Sequence, residues 1–92
     1  MLEIDENLFE ISYENKVLKL CYKEYELLKL LINNPNKILS RDEIIDNFWR
    51  DKQIKSRVVD TYICRIRGKL KKYGHPGILA VKKRGFRLLE TS

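Results

Sequence analysis

The 92-residue sequence is poor in the residue types that build metal centres, disulfide frameworks and hydrolytic active sites. It has a single histidine, His75, and two cysteines, Cys21 and Cys64, that are too far apart for a CxxC zinc or redox motif. No Ser-His-Asp set, pair of catalytic carboxylates or phosphate-binding glycine loop can be assembled from the motifs present. We therefore expect no catalytic residue, no metal and no cofactor, and we interpret His75 as a turn residue.

Long apolar segments are also missing. No apolar run approaches the roughly 20 residues that span a bilayer, and residues 1–6 lack the basic and apolar regions of a signal peptide. The chain has only two prolines, and no Gly/Ser linker or repeat divides it. These features predict one cytoplasmic domain over residues 1–92, without a membrane-spanning segment.

Acidic residues are scarce in the second half of the chain. The net charge is +6, but residues 1–49 carry 6 basic and 10 acidic side chains, whereas residues 50–92 carry 13 basic and 3 acidic ones. This segregation predicts one electropositive surface, whose usual partner is nucleic acid or an anionic membrane. A solvated basic face without a partner is the alternative that charge alone leaves open.

Both ends of the chain have the pattern of short strands. In residues 1–20, apolar and polar side chains alternate, with Phe9, Ile11 and Tyr13 on one side of a predicted strand. Residues 78–89 read as a β-hairpin with a basic tip that contains a glycine for the turn.

Residues 21–73, between these strands, show helical spacing in three segments. The first ends before Pro35, because the residue preceding a proline is disfavoured in a helix. Ser40 is a cap for the second helix, and the third runs over about residues 57–72. Three helices with an N-terminal antiparallel sheet and a C-terminal β-hairpin wing predict an α+β fold, the winged helix-turn-helix.

The third predicted helix separates into an aliphatic face and a basic face at about 100° per residue. The core side comprises Val59, Ile63, Ile66 and Leu70. The opposite side is basic, small and nearly free of carboxylates, and comprises Arg57, Thr61, Cys64, Arg65, Gly68 and Lys72. Such a face suits the major groove of DNA. There we expect Arg65 to read a guanine, and the flanking Arg67 and Lys69 to contact phosphates.

Other interpretations of this helix remain open at this stage. A basic amphipathic helix can bind a membrane surface, but here the apolar side is narrow and lacks Trp and Phe, so we expect no membrane partner. A protein-interaction module on the same fold is a further alternative. Cys64 is either a small residue that permits close approach, or a reactive thiol among arginines whose oxidation would block docking.

Four motifs resemble those of a known family, in the same order. Residues 20–28 are similar to Leu-Thr-x-x-Glu-Phe-x-Leu-Leu, and residues 38–45 to Val-Leu-Ser-Arg-Glu-x-Leu-Leu. Residues 57–70 are similar to Arg-Thr-Val-Asp-Val-His-Ile-x-Arg-Leu-Arg-x-Lys-Leu, and residues 84–88 to the wing's x-Gly-Tyr-Arg-Phe. The family is the OmpR/PhoB-type DNA-binding (effector) domain of bacterial two-component response regulators.

The resemblance implies a transcription regulator that binds double-stranded promoter DNA, usually as a tandem pair on direct repeats. The recognition helix would lie in the major groove and the wing, residues 82–85, would reach the minor groove. The loop of residues 50–55 corresponds to one that can contact RNA polymerase in activators. The family's receiver domain, with its phospho-acceptor aspartate, has no counterpart in these 92 residues.

The resemblance also assigns individual DNA-binding positions. In the recognition helix these are Arg57, Thr61, Tyr62, Cys64, Arg65 and Arg67. A tryptophan that touches the DNA backbone corresponds to Trp49, and the minor-groove arginine of the wing corresponds to Lys82. The charge pattern adds Lys69, Lys83 and Arg84. Two departures from the family pattern are Cys21 in place of a threonine cap and Lys83 in place of a wing glycine.

Overall fold

A computed structural model describes residues 2–48 and 56–89. The chain begins with an antiparallel sheet in the order β1-β2-β3, whose strands are β1 (Leu2–Asp5), β2 (Glu10–Tyr13) and β3 (Lys16–Val17). Glu14 and Asn15 connect β2 to β3 with φ angles of 52° and 66°. Positive φ at both positions is the mark of the two-residue hairpin turn that matches strand twist.

Phe9 lies outside the strands, so its predicted place in the alternation is wrong. It ends the turn between β1 and β2, with φ of 53°, and 56% of its surface is exposed. The Asp5 carboxylate accepts hydrogen bonds from the backbone N–H groups of Asn7, at 3.0 Å, and Leu8, at 3.2 Å. This local turn competes successfully with the extended pairing that the alternation predicted.

Three helices follow, namely α1 (Tyr22–Asn33), α2 (Arg41–Phe48) and α3 (Ser56–Lys72). Helix α1 ends before Pro35 as predicted, and the Asn34 side chain donates a hydrogen bond to the Leu30 carbonyl at 2.8 Å. Ser40 caps α2 as predicted, because its Oγ accepts a hydrogen bond from the Glu43 N–H at 3.1 Å.

The C-terminal hairpin consists of β4 (Ile78–Val81) and β5 (Gly85–Leu88). Its location is predicted correctly, but the role of the glycine is not. The positive φ in the hairpin turn falls on Lys83, at 65°, whereas Gly85 is the first residue of β5. With this hairpin, the predicted winged helix-turn-helix fold is confirmed.

One buried cluster joins all parts of the fold. Helix α3 packs against both α1 and α2, and β5 packs against α1. The N-terminal sheet contributes Ile11, the helices contribute Leu28, Ile44 and Ile63, and the wing contributes Phe86. Because the base of the wing is part of this cluster, the orientation of the hairpin follows from packing in the core.

Candidate nucleic-acid interface

Helix α3 has the two faces that the sequence predicts. Its aliphatic side is buried, and Val59, Ile63, Ile66 and Leu70 are each at most 2% exposed. Its outer side is exposed along the whole helix and comprises Arg57, Thr61, Cys64, Arg65, Gly68, Lys71 and Lys72. Tyr62, Arg67 and Lys69 lie half-buried on the flanks. The aliphatic face thus anchors the helix and leaves a basic strip facing solvent, with the exposed Asp60, the one carboxylate of the helix, at its edge.

The middle of this strip combines small side chains with an oriented arginine. Thr61 donates a hydrogen bond from Oγ1 to the Arg57 carbonyl at 3.2 Å, which keeps the side chain close to the helix. The guanidinium carbon of Arg65 lies 5.8 Å from the centre of the Tyr62 ring, within cation–π range. Cys64 is a free, exposed thiol between them. A planar surface can therefore approach the helix closely at Thr61 and Cys64.

The wing tip is a second exposed basic element. Lys82, Lys83 and Arg84 are all exposed, and the Arg84 N–H closes the turn on the Val81 carbonyl at 3.0 Å. Lys83 adopts the left-handed conformation that glycine prefers. The lysine that replaces the family's glycine is thus accommodated at some conformational cost, and it adds a charge to the tip.

The wing is joined to the segment that precedes α2. Leu39 and Phe86 exchange two backbone hydrogen bonds, both 2.8 Å long. Gly85 allows this approach, because a Cβ atom at that position would meet the Leu39 carbonyl oxygen at 2.0 Å. The sequence predicted a glycine for the turn, but its actual role is close backbone contact.

Arg41 links three elements that the sequence did not connect. It lies in the first turn of α2, and its Nε donates to Asp60 of α3 at 2.9 Å. Its guanidinium carbon also lies 4.9 Å from the centre of the Phe86 ring in β5. We call Arg41, Asp60 and Phe86 the Arg41 clasp. The one carboxylate of α3 is thereby paired with a cation.

Lys69 is held by a buried carboxylate. Its Nζ lies 2.8 Å from Oε1 of Glu24, which is 3% exposed and also accepts the Cys21 N–H at 2.9 Å. Burial alone raises the pKa of Glu24, but the hydrogen bonds from Cys21 and Lys69 outweigh burial and lower that pKa below its usual value. The sequence motif did not reveal this pair, which joins the start of α1 to the last turns of α3.

His75 is a structural turn residue. It is 4% exposed, its Nδ1 accepts the Gly77 N–H at 2.9 Å, and its ring meets Tyr13 edge-on. Burial lowers the pKa of His75, so the neutral imidazole is favoured. Among residues 2–48 and 56–89, no group of three or more His, Cys, Asp or Glu side chains is placed to hold a metal ion.

The structure does not describe two of the predicted contact regions. Trp49 and the loop of residues 50–55 lie outside the described residues. The other candidates form two groups, the outer face of α3 and the wing tip, with the Arg41 clasp between these elements. Within the described part of the chain, no helix has the length and apolar character needed to cross a membrane.

A helix-turn-helix with a basic outer face, followed by a hairpin with a basic tip, defines a winged-helix domain. More specifically, the chain belongs to the family described as "Transcriptional regulatory protein, C terminal", whose model matches residues 15–88. The resemblance to the OmpR/PhoB type is thereby confirmed. This family consists of transcriptional regulatory domains and is not an enzyme class.

Similar proteins include the response regulator ArlR of two staphylococci. The Staphylococcus haemolyticus protein is 39% identical over 74 residues, which cover 79% of this chain and 34% of the relative. The Staphylococcus saprophyticus protein is 40% identical over 72 residues, which cover 77% and 33%. The chain therefore spans about a third of the length of these curated relatives.

Solved structures of response regulators share the fold. The DNA-binding domain of AdeR, crystallised in complex with an intercistronic region, is 29% identical with a TM-score of 0.85. That match covers 97% of this chain and 94% of the AdeR chain. The OmpR/PhoB homologue DrrB of Thermotoga maritima is 31% identical with a TM-score of 0.83, covering 97% and 42%.

Proposed function

We propose that this chain is the output domain of a response regulator and binds double-stranded promoter DNA in a sequence-specific manner. The main observation behind the proposal is that α3 has a buried aliphatic face and an exposed basic face, and that the wing tip is also basic and exposed. The AdeR domain, which shares the fold, was crystallised with an intercistronic region, and this supports the proposal. Chromosomal DNA as the partner implies the cytoplasm as the compartment.

In this proposal the outer face of α3 lies in the major groove. Arg65 reads a guanine through its two-pronged guanidinium, which the Tyr62 ring helps to orient. Thr61 and Cys64 are small enough to let the helix approach the base edges, and Arg57 and Arg67 contact phosphates.

The wing and the remaining basic residues have separate roles. Lys82, Lys83 and Arg84 meet the backbone or the minor groove with the exposed tip of the hairpin. Lys69 was expected at a phosphate, but its ammonium group is engaged by Glu24, so we assign it to the fold instead. Three further proposals rest on the family resemblance. They are a contact of Trp49 with the DNA backbone, a contact of residues 50–55 with RNA polymerase, and binding to DNA as a tandem pair.

The proposal is tested by selecting bound sites from random duplex DNA and then titrating the selected duplex at several salt concentrations. We expect log Kd to rise with log salt by about 0.9 for each phosphate contact. Arg65→Ala should cost about 1 to 3 kcal/mol on the selected duplex and relax specificity at one base pair. Lys19→Gln removes an exposed charge next to the N-terminal sheet and serves as the control.

Two results would contradict the proposal. One is recovery of no preferred sequence, with Arg65→Ala binding as well as the unmodified chain. The other is the absence of any DNA complex, together with a salt-insensitive interaction with a protein, which would favour the protein-interaction module.

A further inference from the structure

We propose that Arg41 is a positioning residue that fixes the wing relative to α3, so that both elements can engage one duplex together. This inference rests on the proposed function and adds a residue that no family motif assigned to DNA recognition. Arg41 contacts Asp60, which is next to Thr61 on the outer face of α3, and Phe86, which is two residues from Arg84 at the wing tip.

The placement of Arg41 is unfavourable for its own helix. A cation in the first turn opposes the helix dipole, whereas Asp42 and Glu43 in the same turn suit it. The pair with Asp60 is also largely exposed, at 39% and 47%, so it adds little to stability. These two facts indicate that Arg41 contributes to the position of the wing relative to α3 rather than to the free energy of folding.

The geometry is specific to an arginine. The Arg41 Nε donates a hydrogen bond to Asp60 at 2.9 Å, and the guanidinium carbon lies 4.9 Å from the centre of the Phe86 ring. A planar guanidinium can make both contacts, because its edge donates hydrogen bonds and its face stacks on a ring. A lysine would keep the charge but lose this combination.

The backbone provides a fixed point from which the clasp acts. Phe86 is hydrogen-bonded to Leu39 through both its N–H and its carbonyl, so the base of β5 is held against the segment that precedes α2. Core packing of the Phe86 side chain, which is 3% exposed, sets the orientation of the hairpin. The Arg41 guanidinium lies over the same ring and is held in turn by Asp60 of α3, so it adds a direct link between the wing and α3 to this packing.

The test is a double-mutant cycle on the selected duplex. A neutral tip, in which Lys82, Lys83 and Arg84 are all changed to Gln, is combined with Arg41→Gln. We expect the neutral tip to weaken binding by at least about tenfold in the unmodified chain, and by about threefold or less with Arg41→Gln. Lys37→Gln, a charge removal at an exposed residue outside the clasp, should leave the full tenfold effect.

Further variants separate the clasp from folding and from direct contact. Arg41→Lys should restore only part of the coupling, and Asp60→Asn should reduce it as Arg41→Gln does. Amide exchange at Phe86 and Arg84 should be faster in Arg41→Gln, with thermal unfolding nearly unchanged. If Arg41→Gln does not fold, the cycle is completed with Asp60→Asn.

Three outcomes would overturn the proposal. Equal effects of the neutral tip in both backgrounds would make Arg41 an independent contact. Arg41→Gln binding like the unmodified chain with unchanged coupling would make the clasp irrelevant to DNA. A neutral tip without effect in the unmodified chain would leave no wing contact to position. In each case, salt-dependent binding that is weakened by Arg65→Ala would still support the proposed function.

Discussion

Replacing Lys69 by methionine separates a folding role from a DNA-binding role at one residue. The charge pattern placed Lys69 among the phosphate contacts, but its Nζ lies 2.8 Å from a carboxylate of Glu24 that is almost fully buried. Methionine has a similar length and helix propensity, so the substitution removes the charge and little else. The structure predicts a loss of stability and no loss of a phosphate contact.

The size of this loss follows from the burial of the two groups. Breaking a buried ion pair from one side typically costs about 3 to 5 kcal/mol, because the other charge is left unpaired. Glu24 keeps its hydrogen bond from the Cys21 N–H, and the Lys69 side chain is 36% exposed. We therefore expect Lys69→Met to lower the free energy of unfolding by about 2 to 3 kcal/mol, or Tm by roughly 10–20 °C.

The pH dependence has a definite sign. The pKa of Glu24 is lower in the folded chain than its ordinary value of 4.5, so the stability that its carboxylate contributes is present above that pH. This contribution is lost as the pH falls through the pKa of the folded state. The cost of Lys69→Met should accordingly shrink in strongly acidic solution, where Glu24 is protonated.

The assay is urea unfolding combined with a salt titration of DNA binding. Lys72→Met, on the exposed face of the same helix, is the matched control. Lys72→Met should change the free energy of unfolding by less than about 0.5 kcal/mol. Lys69→Met should leave unchanged the slope of log Kd for DNA against log salt. A lower salt slope for Lys69→Met with unchanged stability would refute the reasoning and return Lys69 to the phosphate contacts.

Three further predictions concern the wing and the turn before it. Gly85→Ala should destabilise the chain by about 2 kcal/mol or more, because the alanine Cβ would collide with the Leu39 carbonyl. Thermal unfolding measures this loss of stability, and an unchanged Tm would contradict the prediction. Lys83→Val should be about 1 kcal/mol less stable than Lys83→Gly, because φ of 65° suits glycine and opposes a β-branched residue; equal urea midpoints would contradict this. Since burial lowers the pKa of His75, its stabilising contribution is complete above about pH 6.5 and decreases as the pH falls towards the pKa of the folded state. His75→Asn can still accept the Gly77 N–H in an Asx turn but cannot titrate, so its stability should fall less between pH 7 and 5; an equal fall would contradict the assignment.

The parts of the fold that follow from local pattern were predictable. The faces of α3 are set by a helical period, and the buried residues Val59, Ile63, Ile66 and Leu70 are those that the period selects. The end of α1 before Pro35 and the cap at Ser40 are equally local, because each depends on backbone groups within four residues. The wing was located by the same kind of information.

The contacts that the sequence did not predict are long-range. Glu24 and Lys69 are 45 positions apart, and Arg41 and Asp60 are 19 apart, so their pairing depends on how the helices pack. A local pattern assigns each lysine or arginine to a face but not to a partner. Phe9 was misplaced for a different reason, since the Asp5 turn determines the backbone there whatever the alternation suggests.

The most direct test of the account uses the two native cysteines, both of which are free and exposed. Cys64 lies on the outer face of α3, whereas Cys21 precedes α1. Their alkylation rates with N-ethylmaleimide are measured by peptide mass spectrometry, with and without the selected duplex at saturation. We expect the duplex to slow Cys64 by about tenfold or more, since the helix enters the groove, and to leave Cys21 unchanged. Unchanged reactivity of Cys64 in a saturated complex would contradict the claim that this face of α3 binds DNA.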